Sequence, residues 1–275
     1  MNPHLWQLTL TGALHTARQH CDQRCFCYHA TWRLLRMAGL KGTPRWHTGF
    51  YRRILAERHP WQPRRALVCG ASDEIMAQTL TQLTPHLSLT VVDRCRAPLT
   101  LVNAWAHQAG IDITTTTATA PHLAGLDGPF DVIVTDGLLS LLPEPADRHA
   151  LLRRLASLLS SDGLVLYSTR IAGPAGRLEY DTLGRIIQAT AAATWPGSAP
   201  QRARLAHQNW RRPSRPSPFT TPQQLSATFA TSFAQVQLFS HPAAPTWPLR
   251  LHPAFLTRRG STCVGVAAAS PRERP

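Results

Sequence analysis

Ala66-Leu67-Val68-Cys69-Gly70-Ala71-Ser72-Asp73-Glu74-Ile75-Met76 decides how the rest of this 275-residue chain is read. Ala66 to Cys69 is apolar without alternation and follows the breaker Pro63, the pattern of a strand buried on both faces. Gly70 permits a sharp turn and a close approach of backbone to ligand. Ser72 or Asp73 is placed to cap a following helix, in which Ile75, Met76 and Leu80 recur at helical spacing. Strand, small-residue turn and helix N-terminus together make a common nucleotide-binding arrangement.

Outward from this stretch, strand and helix patterns alternate. Leu87–Asp93 is strand-like and ends in an acid, and a helix pattern runs from Pro98 through Trp105 to Ala109. Ile111–Thr117 reads as a third strand and Phe130–Asp136 as a fourth, ending in a second acid before a loop through Leu142-Pro143. Residues 147–160 carry leucines at helical spacing, Asp162-Gly163 makes a turn, and Leu164–Ser168 is a fifth strand. Such alternation predicts a parallel sheet covered on both faces. Before it, residues 28–40 and Arg45–Glu57 read as two cap helices, the second with Thr43-Pro44 as N-cap and first helical residue. After it, residues 171–221 interrupt the rhythm around one helix, Glu179–Ala192, followed by an Arg-rich stretch from Gln201 to Pro218. An insertion at a strand's carboxyl end sits where α/β sheets bind substrate. Thr221-Pro222 starts a last helix, Phe233–Phe239 and Ser261–Ala267 are closing strands, and a short tail is expected to be disordered.

The net charge of +14 is uneven. Residues 1–65 carry 11 basic against two acidic side chains, residues 66–170 carry 6 against 10, and residues 171–275 carry 12 against three. Basic flanks around an acidic middle would attract an anionic partner, although Arg replaces Lys everywhere except Lys41, as also arises from a GC-rich genome. No apolar run reaches the length of a membrane span, and the N-terminus lacks the form of a signal peptide. A cytoplasmic protein with no membrane partner is expected. Cys21, Cys25 and Cys27 stand beside His20 and His29. Their spacing is no standard zinc pattern, so they read as structural thiols and no metal is assigned.

Asp93 stands about 20 residues beyond the Gly70 turn, where an acid accepts hydrogen bonds from ribose hydroxyls. The absence of G-x-G-x-x-G argues against a pyrophosphate cofactor. With these pieces in order, residues 64–170 resemble the class I S-adenosylmethionine (SAM)-dependent methyltransferase domain. The resemblance lies in Leu67–Ser72, Val91–Cys95, Phe130–Asp136 and Leu158–Leu166, and continues in Phe219–Leu225 and the two final strands. It implies a doubly wound, mostly parallel, seven-stranded Rossmann-like sheet over residues 63–268, with an N-terminal helical cap (1–62), a lid at about 171–221, and a tail at 269–275. It also implies SAM as cofactor, with Gly70, Ala71 and Ser72 under the methionine part and Asp93, followed by Arg94, at the ribose. Thr119-Ala120 would lie beside adenine and Asp136-Gly137 would face the methyl donor. The turn departs from the family's usual G-x-G-x-G, and Thr119 stands where an acid is frequent.

Methyl transfer relies on in-line positioning, with a general base needed for a hydroxyl or carbon acceptor. Candidate bases are His29, His47, Tyr51, Asp136, Tyr180 and His207. His47 and Tyr51 are preferred because the segment before the first strand commonly closes over the cofactor in the resembled family. The expected reaction is methyl transfer to a small molecule, plausible in secondary metabolism. The alternatives are other SAM chemistry, such as cyclisation or cyclopropane formation, and an RNA-directed protein using the Arg-rich flanks.

Overall fold

The structure is a computed structural model describing residues 8–37, 44–58, 61–171, 177–178, 182–211, 215–216, 218–242 and 262–271. Among the described residues, three helices come first: α1 (Leu10–His20), α2 (Phe26–Met37) and α3 (Pro44–Glu57). The alternating region follows as β1 (Arg65–Cys69), α4 (Ile75–Leu83), β2 (Ser88–Asp93), α5 (Arg96–Ala109), β3 (Ile113–Thr117), β4 (Phe130–Asp136), α6 (Pro145–Leu158) and β5 (Leu159–Ile171). A two-residue ribbon, β6 (Arg177–Leu178) with β7 (Arg215–Pro216), flanks α7 (Thr182–Ala192) and α8 (Ala199–Trp210). The chain closes with α9 (Pro222–Ala230), β8 (Phe233–Pro242) and β9 (Thr262–Pro271).

Seven strands form one sheet in the order β3-β2-β1-β4-β5-β9-β8. The first five are parallel, and β9 pairs antiparallel with both β5 and β8. Consecutive residues of β1 point to opposite faces, so its unbroken apolar run feeds two cores. Leu67 and Cys69 join the leucines of α6 with Tyr167, Phe219 and Phe229. Ala66 and Val68 join Met76 and Leu80 of α4, Leu99, Val102 and Trp105 of α5, and Phe50, Tyr51 and Ile54 of α3. The cap helix α3 is therefore built into the main core.

Several boundaries differ from the sequence reading. Glu74, with no side-chain cap of its own, occupies the N-cap of α4, while Asp73 Oδ1 accepts from the Ile75 amide at 3.1 Å. Thr221 does cap α9, accepting from Gln224 N–H at 3.2 Å. Thr43 lies outside the described residues. The Asp162-Gly163 turn sits inside β5. Phe130 pairs with Leu159 and Val132 with Leu164, so β5 spends five residues where β4 advances two. The bulge keeps Leu159 on the core while the next regular pair restarts at Leu164. The expected loop after β4 contains a 3₁₀ turn, Leu138–Leu141. Two helices, rather than one, occupy the segment expected as a lid, because Ser198 and Gln201 close a capping box that starts α8. The last strand runs on through Pro271, four residues past the expected Ala267 and into the segment expected as a tail, because its pairing with β8 continues to Phe233.

Candidate functional site

The carboxyl ends of β1, β2, β4 and β5 are adjacent, and the acids that end β2 and β4 face the turn after β1. Gly70 (φ +74°) and Ser72 (φ +55°) both take the left-handed conformation. Only the first is a glycine, so Ser72 carries a strain of order 1 kcal/mol. The Gly70 amide donates to Val92 O at 2.8 Å, which ties the turn to β2. Asp93 is buried; its Oδ1 accepts from the Cys95 amide at 2.8 Å, and the Ser72 amide also donates to the carboxylate. Burial raises its pKa, opposed by these two amides and by the nearby His29. Ala71 is buried between the turn and the sheet, and Arg94 is exposed directly after Asp93.

Helix α2 lies over this turn. Tyr28 Oη and Ser72 Oγ are 2.9 Å apart, Trp32 Nε1 donates to Asp73 Oδ2 at 2.8 Å, and Arg33 makes two bonds to Glu74 at 2.7 and 3.1 Å. Burial raises the Tyr28 phenol pKa, and the charges of Asp136, Asp93 and Asp73 push it the same way. Tyr28 thus stands among three carboxylates. Nothing in its spacing singled it out.

At the end of β4, Gly137 (φ +66°) turns the chain and donates to Ser168 O at 2.7 Å. Ser168 Oγ donates to Asp136 Oδ1 at 2.7 Å and lies 3.0 Å from His47 Nε2. With the single serine proton on Asp136, His47 Nε2 must carry its own proton and donate to Ser168. His47 is 3% exposed, whereas the Asp136 side chain is 32% exposed. Tyr51 stacks on His47 with ring centres 5.8 Å apart and planes at 16°. Its hydroxyl is fully buried and has no hydrogen-bond partner among the described residues, and burial raises its pKa.

Thr119 and Ala120 follow β3 at the same edge, where the Ala118 amide donates to Asp93 O at 3.1 Å. Thr119 is exposed and Ala120 half-buried. The turn residues, Asp93, Asp136, Gly137, His47 and Tyr51 therefore share one end of the sheet. Among the other candidates, His29 is buried beside Asp93, His207 is exposed on α8, and Tyr180 lies outside the described residues. Sequence reasoning missed Ser168 and Tyr28, which join residues it did select.

The segment expected as a lid packs on the cap. Phe26 meets Trp195 edge-on at 4.8 Å, Arg18 Nε donates to Thr194 O at 2.8 Å, and Asn209 Nδ2 lies 3.3 Å from Cys27 Sγ. Ala17, Phe26, Ala192 and Leu205 close a third apolar cluster with Cys21, Cys25, Cys27 and Cys95. Cys27 thus turns toward α8, while Cys21 and Cys25 turn toward Cys95. Cys21 Sγ and Cys25 Sγ lie 3.6 and 3.7 Å from Cys95 Sγ, and these thiol contacts hold the Cys95 thiol well below its ordinary value while pushing Cys21 up.

No protein-family profile and no curated protein matches the sequence. Solved structures match the fold. One is a protein of Nostoc punctiforme assigned as an O-methyltransferase, with TM-score 0.55 and 15% identity over 97% of this chain and 70% of that one. A phosphoethanolamine N-methyltransferase 2 of Haemonchus contortus, in complex with phosphomonomethylethanolamine and S-adenosylhomocysteine (SAH), matches with TM-score 0.56 and 13% identity over 98% of this chain. The present chain spans 59% of that enzyme's length. The plantazolicin methyltransferase BpumL in complex with SAH matches with TM-score 0.52 and 10% identity, over 96% of this chain and 99% of its own. With its strand order, its antiparallel β9 and these neighbours, the chain has the Rossmann-like fold of the class I SAM-dependent methyltransferases.

Proposed function

We propose that the protein is a SAM-dependent methyltransferase acting on a small-molecule acceptor, as in secondary-metabolite biosynthesis. The observation that carries this reading is Asp93, a buried carboxylate at the end of β2, gripped by the amides of Ser72 and Cys95 beside the Gly70–Ser72 turn. A buried, oriented carboxylate in this place suits a pair of ribose hydroxyls. The left-handed backbone at Gly70 and Ser72 leaves room for the methionine part, and Thr119-Ala120 flanks the adenine edge. SAM would supply the methyl group as an activated sulfonium.

Asp136 is the accessible base of this site. It accepts the proton of an acceptor hydroxyl or acidic carbon, while Ser168, held in turn by His47, keeps Oδ1 aimed. His47 is a positioning residue, and Tyr51 holds its ring by stacking. For an acceptor amine already deprotonated, Asp136 only orients the substrate, because positioning then supplies the rate. The neighbours support a small acceptor through their own descriptions, which name a phosphomonomethylethanolamine complex, a pyocyanin biosynthetic protein and a plantazolicin methyltransferase.

Titration calorimetry of the full chain with SAM and SAH, together with mass spectrometry of co-purifying ligand, tests the reading. Binding of both ligands, with affinity lost in Asp93→Ala, is expected. Absence of binding, or equal affinity in the variant, overturns it.

A further inference from the structure

We propose that Cys21, Cys25, His29 and Cys95 form a tetrahedral zinc site that locks the helical cap onto the end of β2. One potential ligand atom from each residue lies within 4.8 Å of all the others, and all four residues are buried. Cys21 Sγ and Cys95 Sγ are 3.6 Å apart, and Cys25 Sγ and Cys95 Sγ 3.7 Å. Zinc–thiolate bonds of about 2.3 Å in a tetrahedron put neighbouring sulfurs about 3.8 Å apart, so the cage has the size of a single zinc ion. A [4Fe–4S] cluster places each thiolate on a separate iron, and its sulfurs stand farther apart than this.

A second observation points the same way. His29 is 8% exposed and, among the described residues, its buried Nδ1 has no hydrogen-bond partner. An unpaired buried imidazole nitrogen is costly, and coordination by one ring nitrogen lets the other be set by its surroundings. Three cysteines and one histidine form a standard closed set for structural zinc. The site also suits its net negative charge. Cys95 is the N-cap of α5, where the helix dipole favours an anion.

The ligands come from three places in the chain. Cys21 ends α1, Cys25 and His29 lie one helical turn apart at the start of α2, and Cys95 follows β2. Zinc binding replaces whatever thiol protons the cysteines still carry with metal–sulfur bonds, with no oxidant or reductant involved. A disulfide between Cys21 and Cys95 is the competing chemistry for the same sulfurs, and would leave His29 unused. The metal would also bear on the strand ends. The Cys95 amide holds Asp93 and α2 carries Tyr28 to Ser72, so zinc would fix both the carboxylate and the turn. That last consequence rests on the proposed SAM site; the metal site itself does not.

The test is zinc content by mass spectrometry on the full-length reduced protein, with cobalt substitution as a spectroscopic check. Expected are one tightly held zinc per chain and, in the cobalt form, the thiolate charge-transfer and visible bands of a tetrahedral site. Cys21→Ser and Cys95→Ser should each lower retained zinc at least about tenfold. Cys27→Ser should keep it, and His29→Cys should keep it where His29→Ala does not. Should the serine variants fail to fold, the wild-type metal content and cobalt spectrum still decide. The proposal is overturned if reduced wild-type protein supplied with zinc retains none, if Cys27→Ser loses as much as Cys21→Ser, or if the isolated protein carries a Cys21–Cys95 disulfide instead. Zinc bound normally with no SAM affinity would sink the functional reading and leave the metal site standing.

Discussion

Ser168 Oγ donates a 2.7 Å hydrogen bond to Asp136 Oδ1 and so joins the carboxyl ends of two neighbouring parallel strands. The two residues are register partners, so the link follows from strand pairing itself. The Asp136 side chain remains 32% exposed at this end of the sheet, and His47 stands behind Ser168.

This chain gives an order of effects. Asp136→Asn should lower turnover by about 10²- to 10⁴-fold for a hydroxyl acceptor, the usual contribution of a general base. Ser168→Ala should cost about 1.5–3 kcal/mol of alignment, the range for hydrogen bonds to charged groups, and should lower kcat with little change in SAM affinity. Steady-state kinetics alongside SAM calorimetry checks both. A Ser168→Ala enzyme with unchanged kcat would remove the relay.

Asp93 combines a burden on the fold with a role in binding. Burial holds its pKa above the usual carboxylate value, so the folded chain retains this proton more readily than the unfolded one. The stabilising contribution is present below the unfolded carboxylate pKa and is lost as pH rises through the raised folded value. At neutral pH the ionised group therefore works against the apo fold. Asp93→Asn should melt at the same temperature or higher near pH 7, yet bind SAM about 10- to 100-fold more weakly. A variant that melts at a lower temperature near pH 7 but binds SAM with wild-type affinity would reverse this assignment.

Tyr51 keeps its ring on His47 and leaves its hydroxyl buried without a partner among the described residues. Tyr51→Phe retains the ring and removes that hydroxyl. Thermal unfolding should show stability within about 1 kcal/mol of wild type or above it. Turnover should be retained, because stacking is the part that positions His47. A loss of turnover at unchanged stability would assign the hydroxyl a role in the reaction.

Gly265, in the middle of β9, lets α3 approach the sheet. A Cβ there would lie 2.7 to 3.0 Å from three atoms of the Phe50 ring. The ring is fixed between Tyr51 and Phe239, so it has little freedom to yield. Gly265→Ala should cost about 1–3 kcal/mol in denaturant unfolding, and Gly265→Ala with Phe50→Leu should recover part of that loss.

The main sheet was legible in the sequence because its signals are local. Short, mostly apolar runs at 66–69 and 130–136, each ended by Gly or Asp, read as strands buried on both faces, and their alternation with helices points to a parallel sheet. The positions of Gly70, Asp93 and Asp136 at strand ends follow directly. The boundaries that moved depended on pairing: Leu159 joins β5 across a bulge because Phe130 is there to receive it, and Pro271 is held by Phe233. What tertiary structure alone decided is the company these residues keep. Ser168 reaches Asp136 through register, Tyr28 reaches Ser72 because α2 folds over the turn, and Cys95 meets Cys21 and Cys25 across 74 and 70 residues of chain. Local spacing holds no record of such contacts, since they arise only when the cap, the end of β2 and helices α7 and α8 bury one another's apolar faces.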